Sequence, residues 1–168
     1  METTSFNNLL FRTAFCCMAC DGAIDPKEVT TVKLICEKLS FFENFDFQTE
    51  TNFLIKEINE RGKEFLLSYF NLLNNVSLTE EEELALIDIA IQVIWADGIL
   101  QYSEIKFFKN ICHRLKVSDE KILERFSEVE DIERFFEKEI ETESILDKIT
   151  SQYLDIVQLP HFEPISNQ

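Results

Sequence analysis

Apolar side chains recur along this chain at intervals of three and four, the period of helices that bury one face. Phe6, Leu9, Leu10, Thr13, Ala14 and Cys17 fall at i, i+3, i+4, i+7, i+8 and i+11. This spacing predicts an amphipathic helix over residues 5–20 with a seam of small side chains. The stripe Val29, Val32, Ile35/Cys36 and Leu39 predicts a second helix from Pro26 to about Leu39. A Phe-rich stretch follows, and two further helices are expected near 48–60 and 63–74. Thr79 followed by Glu80, Glu81, Glu82 and Glu83 reads as a helix start. Thr79 is the N-cap, Glu82 takes the capping-box position, and the acids sit on the positive end of the helix dipole. That helix is expected to reach about Ala96, with a partner from about Tyr102 to Leu115. Ser118 is the next N-cap. Ile122, Phe126 and Val129, then Phe135, Phe136 and Ile140, predict weakly amphipathic helices over 119–148. From Tyr153 onward two prolines favour a tail that is extended or disordered at its end.

Breakers are scarce, which strengthens the helical reading. Only three Gly and three Pro occur in 168 residues, and Pro160 and Pro164 lie in the last ten. The expected fold is all-α, a compact helical bundle. Sixteen Phe at helical spacing are expected to pack its core.

Gly22 and Gly98 interrupt the helical pattern inside one signature written twice, Asp-Gly-x-Ile/Leu-x-x-x-Glu. The first copy runs from Asp21 to Glu28 and the second from Asp97 to Glu104, 76 residues later. Val29, Val32, Ile35, Cys36 and Leu39 return in type as Ile105, Phe108, Ile111, Cys112 and Leu115. The internal repeat predicts two pseudo-equivalent hairpins, each a helix, a Gly corner and a second helix. Residues 1–118 form the expected helical domain, and 119–168 an acidic helical extension and tail, packed on it or appended to it.

Charge separates the same two regions. The net formal charge is −16, of which residues 119–168, with 14 acidic and five basic side chains, carry −9. Such a field repels nucleic-acid phosphates and anionic lipid, and attracts cations and basic proteins. No apolar run approaches the roughly 18 residues of a membrane span, so no membrane insertion is expected. Met1-Glu2-Thr3-Thr4 lacks the positive charge of a secretory leader. Five Cys without a spaced framework suit a reducing compartment, and a cytoplasmic location is expected.

Helix capping accounts for most of the signature. Gly22 and Gly98 suit a left-handed helix end, Asp25 an N-cap, Pro26 the first helical position and Glu28 the capping box. Ile24 and Val29 supply the hydrophobic staple. Asp21 and Asp97 fall outside that account: an acid in the last turn of a helix faces the negative dipole end, at a cost of about 0.3–1 kcal/mol. A Lys or Arg, the N–H groups of the next helix, or a metal ion would each compensate them. The string D-G-x-I-D-x-x-E also matches the second half of a calcium loop, with Asp21, Gly22, Asp25 and Glu28 at positions 5, 6, 9 and 12. Positions 1 and 3 would be Cys17 and Ala19, or Val93 and Trp95 in the second copy, none of them a hard oxygen ligand, so an EF-hand is excluded. A looser divalent-cation site remains, built from Asp21, Asp25 and Glu28 and pooled with Asp97 and Glu104.

The segments Ala-Cys-Asp-Gly-Ala-Ile-Asp-Pro-Lys-Glu and Trp-Ala-Asp-Gly-Ile-Leu-Gln-Tyr-Ser-Glu resemble the two signatures of the tellurite-resistance TerB family. The run Ile111-Cys112-His113-Arg114-Leu115 resembles the family pattern as well. The resemblance covers about residues 5–118. It implies an all-helical fold without known catalytic activity, found in bacterial stress-response systems and beside membrane-associated or chaperone-linked modules. The family's shared acids have been considered divalent-cation ligands; carried over, they are Asp21, Asp25, Glu28, Asp97 and Glu104. Gln101 departs from the family, which usually has an acidic or small polar residue there, and this weakens the second half of a site.

Other chemical-looking groups read as structure. Cys17-Met18-Ala19-Cys20 is a C-x-x-C at a helix end, where thiolate is not stabilised, and no second pair completes a zinc site. His113 and His161 have no evident nucleophilic partners, and no Gly-rich phosphate loop exists. The expected activity is therefore non-enzymatic. One reading is a stress-response module that binds a divalent cation of the Ca²⁺ or Mg²⁺ class and a protein partner. The other is an ion-free scaffold whose acidic C-terminal segment binds the partner.

Overall fold

A computed structural model describes residues 3–20, 24, 26–38, 46–96, 102–129, 132, 162 and 164. Among these residues there are seven helices and no strand: α1 (Thr3–Ala19), α2 (Pro26–Lys38), α3 (Phe47–Arg61), α4 (Lys63–Asn75), α5 (Glu80–Ile94), α6 (Tyr102–Cys112) and α7 (Asp119–Arg125). The protein is all-α. No helix of the described residues is long and apolar enough to cross a membrane.

Helix starts follow the local chemistry. Thr79 and Glu82 form the expected reciprocal capping box, with the Thr79 N–H donating to Glu82 Oε1 at 2.9 Å and the Glu82 N–H to Thr79 Oγ1 at 3.1 Å. Ser118 caps α7 by accepting the Lys121 N–H, and Asp46 caps α3 by accepting the Thr49 N–H. Gly62 joins α3 to α4 at φ +59°, in the left-handed region. Nothing lies within 4 Å of where a Cβ would stand. The backbone angle alone therefore makes glycine the fitting residue there.

α1 packs along α5, and α2 and α6 lean on α5 from its flanks, while α3 pairs with α4. The central helices are not one-faced, as their sequence spacing suggests. Every residue from Thr13 to Cys20 in and just after α1 is buried, and so is every residue from Glu104 to Cys112 in α6. Helices surrounded on all sides can carry polar side chains only when these are satisfied. Thr13 Oγ1 donates to the Leu9 carbonyl and lies 2.7 Å from the Tyr69 hydroxyl. The ammonium of Lys109, fully buried, reaches Asp119 Oδ2 at 3.1 Å and so ties α6 to the first turn of α7.

Phenylalanine fills the core as expected. Phe70 and Phe107 pack with ring centroids 5.4 Å apart, Phe107 stacks on Tyr69, and Phe15 meets Phe65 edge-on at 5.7 Å. Among the described residues, Phe53, 53% exposed, is the exception.

Three expectations change. α6 stops at Cys112, three residues short of Leu115, and the chain leaves it in a turn. α7 ends at Arg125, and Phe126 closes it by donating its N–H to the Ile122 carbonyl. Phe162, assigned to a loose tail, is instead buried. Its N–H donates to Asn59 Oδ1 at 2.8 Å and its carbonyl accepts from Asn59 Nδ2 at 2.9 Å, which pins it to α3. Leu39, Gly22, Gly98 and the apolar positions Phe135, Phe136 and Ile140 lie outside the described residues.

Candidate functional site

The two signatures begin where α1 and α5 end. At the end of α1 the chain is packed solid: Cys17, Met18, Ala19 and Cys20 are all buried, and the Cys20 thiol lies 3.3 Å from the Cys17 carbonyl. At the end of α5 the Trp95 and Ala96 N–H groups close on the Ile91 and Val93 carbonyls. The Trp95 indole nitrogen is buried without a hydrogen-bond partner among the described residues.

Each signature ends in a glutamate at the third position of the helix that follows. Glu28 in α2 is 3% exposed and Glu104 in α6 is 2% exposed. A capping-box glutamate normally lies at the surface, so burial of both is unexpected from the local pattern alone. Their charges converge. Both carboxylates act on the thiol of Cys17, raising its pKa further above the ordinary thiol value, which burial in the core has already lifted most. Two acids from segments 76 positions apart thus both act on one thiol.

Of the five residues expected to ligate a cation, Glu28 and Glu104 are described, and both are buried. Asp21, Asp25 and Asp97 lie outside the described residues. Among the described residues no three His, Cys, Asp or Glu side chains form a group able to hold a metal. Ile24 and Val29, the expected staple, are both partly buried against the core.

The donor chemistry of this neighbourhood is hard. Cys17 is held as the neutral thiol, and Cys16 is likewise raised by burial. Cys112 is pushed up to about 12 by burial, against a partial opposing pull from Lys109. Neutral thiols are poor nucleophiles and poor ligands for soft metals. Carboxylate oxygens remain as donors, and two buried carboxylates need positive charge or hydrogen bonds nearby to be tolerated. Of these donor types, carboxylate oxygens suit hard cations and the neutral thiols do not.

The remaining polar features are structural. All five cysteines are free and buried, so the C-x-x-C is packing, as its helix-end position suggests. In the run Ile111–Leu115, Ile111 and Cys112 belong to the core. The Arg114 guanidinium lies 4.2 Å over the Phe70 ring and donates to the Asn110 carbonyl at 2.8 Å. This run anchors the end of α6 onto α4. Sequence reasoning passed over the buried Lys109–Asp119 pair and the burial of Glu83. Both depend on groups brought together from different helices, and only the unusual position of a Lys inside the apolar α6 stripe hinted at the first.

No curated protein and no solved structure matches the chain. Residues 13–125 match the family described as tellurite resistance protein TerB. That span takes in both signatures, all of α2 to α7 and the two buried glutamates, and on it this chain belongs to the TerB family.

Proposed function

We propose that the protein is a non-enzymatic, ion-responsive interaction module. Asp21, Asp25 and Glu28, pooled with Asp97 and Glu104, hold a divalent cation of the Ca²⁺ or Mg²⁺ class through carboxylate oxygens and water. The observation that supports this most directly is the burial of Glu28 and Glu104, whose charges both raise the Cys17 thiol. A cation there offsets the self-repulsion of the two acids and ties the starts of α2 and α6 to the ends of α1 and α5. Occupancy then sets how firmly α2 and α6 are held, and a protein partner reads that state. A cytoplasmic stress-response role follows from the family resemblance and the reducing-compartment character of the cysteines.

Thermal unfolding of chelator-treated protein, with Ca²⁺, Mg²⁺, Mn²⁺ and Zn²⁺ added back one at a time, tests this. A folded-state site raises stability by RT ln(1 + [L]/Kd), so the shift must grow with ion concentration. A selective shift that disappears in Asp21→Asn supports the reading. No shift at about millimolar ion leaves the corners as caps alone.

The ion-free reading draws on one observation. Lys121 and Arg125 of α7 are committed to Glu80 and Glu81 of α5, at 2.6 and 2.7 Å. Two of the five basic side chains of residues 119–168 are thus paired outside that segment, whose formal charge of −9 suits a basic partner. Retained partner binding after Asp21→Asn would favour this scaffold.

A further inference from the structure

A cavity of about 260 Å³ opens between α1, α2 and α5, away from the two corners. Its apolar surface comes from Phe6 and Leu10 of α1, Ile35 of α2, and Ala85 and Ile89 of α5. These lie at helical spacings on three helices, so the cavity is a groove between helix faces and not a hole inside one helix pair. Two charges flank it, Lys38 at the last position of α2 and Asp88 on α5. Neither makes an ion pair or a side-chain hydrogen bond among the described residues, although charged side chains elsewhere on α5 and α7 are paired.

The size and the charges select an occupant. The volume is below that of most pockets enclosing a drug-sized ligand, about 300–1,000 Å³, but suits a few side chains inserted from a helix. We propose that this groove docks an amphipathic, predominantly basic helix of a partner protein. Apolar anchors at i, i+3 or i+4 and i+7 enter between α1, α2 and α5. A cationic side chain of the partner meets Asp88, and an acidic one meets Lys38, which fixes the direction of docking. The net charge of −16 supplies the long-range attraction for a basic partner. The groove is separate from the acidic corners, and the inference holds whether or not they take an ion.

The test uses the full chain and a fluorescein-labelled synthetic peptide of about 15 residues, long enough to form a helix. It carries Leu at the anchor spacing, Lys on the polar face and one Glu. A scrambled peptide of the same composition controls for simple charge attraction. Fluorescence anisotropy should show the patterned peptide binding at least about tenfold more tightly than the scrambled one. Ala85→Phe, which fills the groove from α5, should erase that difference while leaving the weak scrambled binding unchanged. Asp88→Lys, which leaves the apolar lining intact, should weaken the patterned peptide several-fold and still discriminate against the scramble. Equal binding of both peptides, or groove variants that bind like the wild type, would overturn the proposal. So would sedimentation showing that the unliganded chain self-associates and that Ala85→Phe makes it monomeric, since the occupant would then be a second copy.

Discussion

The carboxylate of Glu83, in the first turn of α5, accepts the backbone N–H of Val117 at 2.8 Å. It also accepts the N–H of Lys116, at 3.0 Å through Oε1 and 3.1 Å through Oε2. Glu83 is buried, so one side chain satisfies two backbone donors in the segment that links α6 to α7. Glu83→Ala leaves those donors unpaired and should cost about 2–4 kcal/mol. Glu83→Gln keeps one acceptor but points an amide N–H toward a donor, and should cost about half as much. Glu82→Gln, one residue earlier, preserves the capping box and should be nearly neutral. Urea unfolding measures all three, with an unchanged m-value required for the comparison. If Glu83→Ala is as mild as Glu82→Gln, the clamp contributes little.

Thr13 and Tyr69 make a buried pair whose proton direction can be deduced. A threonine hydroxyl has one proton, and Thr13 spends it on the Leu9 carbonyl at 2.8 Å. Tyr69 is therefore the donor in the 2.7 Å contact between the two hydroxyls. Tyr69→Phe removes a donor from an acceptor with a second partner, and should cost about 1 kcal/mol. Thr13→Val strands the buried Tyr69 O–H, and should cost about 2 kcal/mol or more. The double variant should be less unstable than the sum of the singles, because the stranded donor is gone. Additive losses in a double-mutant cycle would show that the two hydroxyls do not act as a pair.

These two examples also show what the chain discloses in advance. Helix positions, the Thr79–Glu82 box and the Ser118 cap depend on neighbours within four residues, and all are readable from spacing. The all-round burial of α1 and α6 is not, because Glu104, Lys109 and Asn110 look like a polar face, and the partner of the buried Lys109, Asp119, comes from another helix. Phe162 reads as part of a proline-bearing tail because its partner, Asn59, is 103 positions away. The signature pointed to Glu28 and Glu104 as a repeated pair, yet capping rules place such glutamates at the surface. Only tertiary packing buries both.

The buried thiols predict a definite response to alkali. Burial lifts Cys112 from an ordinary 9.0 to about 12, and it raises Cys16 and Cys17 as well. A folded pKa above the unfolded one means that the unfolded chain loses its proton first as pH rises. The stability is therefore whole below about pH 9 and is lost as pH climbs from there through about 12. Within that window each such thiol contributes about 1.4 kcal/mol of loss per pH unit. Between about pH 9 and pH 10, before lysines titrate, the urea midpoint should fall, and Cys112→Ala should fall less steeply. The same burial should leave all five cysteines unreactive to a thiol reagent until the protein unfolds. Rapid labelling in the fold, or a flat profile across this window, would refute the account.

Glu28 and Glu104 give the sharpest test of a shared cation. If both carboxylates face one ion, each is needed for the whole of its stabilising effect, and the two substitutions cannot add. Glu28→Gln and Glu104→Gln keep side-chain size and hydrogen-bonding capacity while removing one charge each. In chelator, each should change the melting temperature little, because the lost hydrogen-bond quality is offset by relief of repulsion between two buried acids. With about millimolar Ca²⁺ or Mg²⁺ present, the wild type should gain stability, by about 2.7 kcal/mol at a hundredfold excess over Kd. Either single variant should lose most of that gain, and the double variant should lose no more than the worse single. Half the gain surviving in each single, with additive loss in the double, would mean two independent corners with one ion apiece. An unchanged gain in Glu104→Gln would confine the ion to the first corner, where Asp21 and Asp25 stand, and would make Gln101 the reason the second corner lacks one.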